Sequence, residues 1–138
     1  MQMSPVIAIH LSAAVSALAL GPVVIWARRG REQHPRLHRA LGYAWVTLMV
    51  AAAVSALWIR DFRLPNVGGY TPIHLLVPGT FAGLALAFWR LSRRNIPRHP
   101  RAMQITYVAG CLVAGSFALL PSRYLGQLIW GQWFGLLG

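Results

Sequence analysis

Residues 8–36, AIHLSAAVSALALGPVVIWARRGREQHPR, and residues 72–101, PIHLLVPGTFAGLALAFWRLSRRNIPRHPR, read as two versions of one unit. Each opens near an Ile-His-Leu, runs through an apolar stretch to a tryptophan, carries an Arg pair and closes on His-Pro-Arg. The offset is 64 residues from His10 to His74 and 65 from His34 to His99. Self-similarity at a fixed period marks repeated supersecondary units. Each unit holds one apolar helix and the start of a second. That predicts two helix pairs of like orientation, related by a pseudo-twofold axis along the membrane normal.

The rest of the chain fits that frame. Of 138 residues, 57% are hydrophobic and only 11% charged, with a mean hydropathy of +0.52. Four apolar blocks, Pro5–Trp26, Leu41–Ile59, Pro72–Trp89 and Met103–Leu120, reach or approach the ~20 residues a helix needs to cross a bilayer. They take up most of the chain and leave no room for a soluble domain. The expected fold is one all-α domain, an integral membrane four-helix bundle. Its spans lie at about 5–27, 36–59, 72–91 and 98–120, and a tail follows at 122–138. The leader MQMS has no positive charge and the arginines follow the first apolar run, so that run reads as a retained helix and not as a cleaved signal.

A net charge of +11 would point to nucleic acid in a soluble protein. The placement of the charge argues otherwise, and no nucleic-acid partner is expected. All thirteen basic residues are arginine. Ten lie in two connections: Arg28, Arg29, Arg31, Arg36 and Arg39, then Arg90, Arg93, Arg94, Arg98 and Arg101. The expected location is a bacterial inner membrane, where by the positive-inside rule these connections face the cytoplasm and both termini face the periplasm.

Prolines mark the helix starts. Ser4-Pro5 and Thr71-Pro72 pair a capping residue with proline at the first helical position, and Pro35 and Pro97 can open the other two helices. A histidine follows each proline within two to five residues: His10, His38, His74 and His99. Alternating helix directions then put His10 with His74 at the outer side and His38 with His99 at the inner side.

Ionisable groups inside membrane helices are costly and mark function by default. Two pairs of imidazoles, one per leaflet, are the ligand set for two bis-histidine haem b groups. The two tiers would be roughly 20 Å apart. Small residues leave room for a porphyrin, among them Gly42 one turn past His38 and Gly110 three turns past His99. Arg36, Arg39, Arg98 and Arg101 are placed to pair with propionates at the inner tier. His34 competes with His38 for the inner position, but His38 lies one turn into its helix and is preferred. Interface contacts or ordinary helix packing account for the same residue types without any cofactor.

Other chemistries lack their parts. Glu32 and Asp61 are the only acids and both lie in connections, which leaves no carboxylate pair and no Ser-His-Asp set. The single cysteine, Cys111, lies within the fourth apolar block. Tyr43 and Tyr107 hold similar places in the two units and are candidates for hydrogen bonds between helices. Trp130, Trp133 and Phe134 suit the tail to the membrane interface, with a quinone or partner contact as the alternative.

HRALGYAWVTLMVAAAVSALWI (38–59), PIHLL (72–76) and HPRAMQITYVAGCLVAGSFALLPSRYLGQLIWG (99–131) resemble the small bacterial membrane proteins grouped as domain-of-unknown-function family 2306. The marks are His38 with Gly42, the Ile-His-Leu around His74, and His99 with Met103; Pro100 departs from the Arg-rich form of the last motif. The resemblance implies a four-helix membrane fold and favours His38 over His34. In architecture the arrangement is similar to di-haem cytochromes of the b561 type. The functional expectation is a di-haem membrane cytochrome, linked to a quinone pool or held within a larger respiratory or photosynthetic complex. The alternatives are a haem-free accessory subunit, whether in such a complex or a homo-oligomer, and a small histidine-lined transporter.

Overall fold

The computed structural model describes residues 3–29, 33–63 and 65–136. Arg31 and Glu32 of the first Arg-rich connection, and the last two residues of the tail, lie outside the described residues. Helix α1 runs Pro5–Trp26 and α2 runs Pro35–Ala56. A 3-10 turn at Pro72–Leu75 leads into α3, Leu76–Ser92. Then follow α4 (Arg98–Tyr107), a π-helical segment (Val108–Val113) and α5 (Ala114–Ala118), which together make one continuous helical rod. The tail folds as a short helix α6, Tyr124–Gly126, continued by a second π segment, Gln127–Trp133.

The helix starts have local causes. Ser4 Oγ accepts from the Ile7 N–H at 3.3 Å, and Pro5 and Pro35 stand where a missing N–H costs nothing. Pro97 takes the cap position of α4, so Pro100 still falls within the first turn, where its lack of an N–H is harmless.

Three helices, Pro5–Trp26, Pro35–Ala56 and Pro72–Ser92, are long and apolar enough to cross a membrane. Most of their side chains point outward, Val15, Leu18, Val54 and Phe81 among them, and present lipid-compatible surface to a bilayer. The fourth apolar block is helical as far as Ala118 but is not one α-helix, because the π segment divides it. α1 packs mainly on α2 and α3 mainly on α4. A core of Ala17, Val24, Trp45, Met49, Leu84 and Cys111 fills the middle.

One contact ties α4 across to α1. Pro22 has no N–H, so the Leu18 carbonyl one turn earlier loses its helical partner. The Tyr107 hydroxyl donates to that carbonyl at 2.9 Å. Gly21 makes room, since a Cβ there would run into the Tyr107 ring. Trp45 Nε1 donates to the Ala17 carbonyl at 3.1 Å from the α2 side, and the Trp45 and Tyr107 rings lie 6.3 Å apart. Tyr43, the counterpart of Tyr107 in the sequence repeat, is 60% exposed.

A double-mutant cycle tests this junction. Tyr107→Phe should destabilise the protein in detergent by about 0.6–1.7 kcal/mol, the range for hydrogen bonds between membrane helices. In a Pro22→Ala background the restored N–H satisfies Leu18, and the same change should cost close to nothing. Thermal unfolding of the four proteins reads the difference.

Candidate functional site

At the Arg-rich end the helices enclose a cleft of about 420 Å³, within the ~300–1,000 Å³ usual for small-molecule and cofactor sites. His38 and His99 both line it, from α2 and α4. Phe88, Leu91 and Met103 contribute apolar wall, and Trp45 and Tyr107, two turns deeper than the histidines, close the inner end. Arg28, Arg29 and Arg39 stand at the mouth.

The two imidazoles are held alike. His38 Nδ1 lies 2.8 Å from the Val24 carbonyl and His99 Nδ1 2.8 Å from the Ala87 carbonyl. A carbonyl only accepts, so Nδ1 carries the proton in each ring and Nε2 keeps its lone pair. Neither Nε2 has a hydrogen-bond partner among the described residues. The Val24 carbonyl is open because α1 ends in a tightened turn, in which Arg28 N–H bonds to Ile25 at 3.2 Å. Metal-ligating histidines are oriented in this way, with one nitrogen tied to a carbonyl and the other presented.

The outer tier is built differently. His10 Nδ1 lies 2.9 Å from the Ala52 carbonyl and 3.2 Å from Ser55 Oγ, so it too bridges two helices. His74 uses both nitrogens. Its Nδ1 accepts from the Thr71 N–H at 3.1 Å in a capping box, and Nε2 donates to the Ile59 carbonyl at 2.9 Å. An iron could take His74 only in exchange for the Ile59 bond. His10 and His74 lie within electrostatic reach of one another, but neither lines the cleft.

The remaining expected residues divide in two. Arg39 and Gly42 line the cleft; Arg36, Arg98, Arg101 and Gly110 do not. Gly110 sits in the core, where a Cβ would strike Met49 Cε. His34 stacks on Trp26 with centroids 5.5 Å apart, outside the cleft. Sequence reasoning passed over Arg28 and Arg29 as site residues. The signal was their place directly after α1, whose Gly21, Val24 and Ile25 line the same cleft. At the far end Arg60 lies over the Tyr70 ring, and Arg123 pairs with Asp61 at 2.5 Å. Those two guanidinium groups are committed to loop structure.

Among the described residues no three His, Cys, Asp or Glu side chains gather as a metal cluster.

The apolar helices and the mostly apolar cleft define an integral membrane protein with a ligand-sized recess. The chain belongs to the family described as predicted membrane protein, DUF2306, whose profile matches residues 7–120. That match is to a family of membrane proteins and not to a cytochrome family. No curated protein and no solved structure matches the chain.

The contrast between the tiers is open to measurement. His74→Ala removes the Thr71 cap and strands the Ile59 carbonyl, so stability should fall by about 1–3 kcal/mol. Hydrogen exchange should quicken around residues 59–74 and stay unchanged around the His38–His99 cleft.

Proposed function

We propose that the protein is a b-type membrane cytochrome. A haem b would lie in the cleft between His38 and His99, within two repeated helix pairs that form a four-helix bundle. The observation that carries this reading is the matched pair of imidazoles, each tied through Nδ1 to the neighbouring helix, each with Nε2 unbonded among the described residues, and both lining one cleft. The porphyrin would supply the four equatorial ligands that the protein lacks and the reversible one-electron change. The chain's own residues fix the ring tautomers, hold the two helices at a set spacing and exclude water with Phe88, Leu91 and Met103. By the positive-inside rule the cleft faces the cytoplasm, which suits exchange of electrons with a donor or a quinone on that side.

A second haem at the outer tier, between His10 and His74, would require His74 to release Ile59. One haem per chain is therefore the expected stoichiometry. The haem-free accessory reading draws on the same bonds, since histidines that latch helices together need no metal.

Spectra separate these readings. Protein purified in mild detergent from haem-supplied cells should show Soret and alpha bands that shift on reduction, with about one haem per chain. His38→Ala and His99→Ala should each abolish the bands, while His10→Ala and His34→Ala leave them nearly intact. A colourless, folded wild-type protein that also takes up no added haem overturns the proposal.

A further inference from the structure

Resting on the haem reading above, we infer that the carboxylates of the bound group face the Arg-rich end and are held by Arg28, Arg29 and Arg39. Of the residues that line the cleft, these three alone are permanently charged. Arg36, Arg98 and Arg101, equally close in sequence to the histidines, lie outside it. The side chains of these three also lack any hydrogen-bond or ion-pair partner among the described residues, whereas those of Arg60, Arg90 and Arg123 each have one and Arg93 lies over the Trp89 ring.

Countercharge is scarce. The chain has two acids. Asp61 is spent on Arg123 at the opposite end, and Glu32, the other acid, lies outside the described residues. Three guanidinium groups at the rim of an apolar cleft therefore call for anionic ligand groups, and Arg pairs with carboxylates more strongly than neutral donors do. The reverse orientation would drive two carboxylates against Trp45 and Tyr107 with no cation in the wall, at a heavy desolvation cost.

The mouth is also braced. Arg28 and Arg29 ride on a turn closed by Arg29 N–H to Trp26 at 3.0 Å and His34 N–H to Ala27 at 2.8 Å. The same terminus supplies Val24, the carbonyl that orients His38. One short stretch of α1 thus sets both the imidazole and the cations.

Esterified haem is the decisive probe. Wild-type apoprotein in detergent should bind haem b at least about tenfold more tightly than haem dimethyl ester, in which both carboxylates are masked. In the Arg28→Gln, Arg29→Gln, Arg39→Gln triple variant that preference should shrink to near unity and the midpoint potential should fall, since lost positive charge favours the oxidised state. The Arg36→Gln, Arg98→Gln, Arg101→Gln triple variant should keep both the preference and the potential. Equal binding of haem and its dimethyl ester by the wild type overturns this inference and leaves the haem reading standing. Failure of both to bind overturns the haem reading itself. Equal losses in the two triple variants would reduce the effect to net charge and also overturn the assignment to these three side chains.

Discussion

An imidazole in a membrane helix must bond to something, and the nearest acceptors are backbone carbonyls. The rest of the inner site depends on this constraint. His38 reaches Val24 and His99 reaches Ala87, each from the start of one helix to the last turns of the helix before it. Each bond closes its helix pair at the Arg-rich end and fixes the ring's tautomer. Both rings line the cleft with Nε2 left unbonded among the described residues, two turns along their helices from Trp45 and Tyr107. Hydrocarbon offers no competing water, so the latch and the aiming of the ring are one event.

The other end solves the same problem with more protein. Residues 57–74 wrap into a loop held by Arg60 over Tyr70, the Tyr70 hydroxyl on Leu57, Asn66 on the Gly69 N–H and the Asp61–Arg123 pair. His74 belongs to that construction as a cap, with Tyr70 edge-on to it at 5.1 Å. The two units that look so alike in sequence therefore use their outer histidines for different purposes. His10 bridges to α2, and His74 secures the entry to α3.

Much of this was legible beforehand because it depends on short-range rules. Proline at helix starts, apolar blocks of membrane length and the clustering of arginines are all read over one or two turns. His38 and His99 could be singled out by their distance from those prolines. What stayed hidden needed the third dimension. His74 looks like His10 in sequence, and only the position of the Ile59 carbonyl shows that its second nitrogen is taken. Arg28 and Arg29 read as topology signals until the turn at the end of α1 brings them to the cleft. Gly110 reads as porphyrin clearance but receives the Met49 side chain instead. The division of the last rod by a π segment has no signature in a run of small apolar residues.

That π segment sets the two halves of the last rod out of phase. An i→i+5 ladder adds a residue to the turn, so side chains before and after it do not follow one continuous stripe. Arg98–Tyr107 brings His99, Met103 and Tyr107 to the cleft, while Ala114–Ala118 leads on to the turn before the tail helix. One rod can thus carry two stripes that a regular α-helix would have to align.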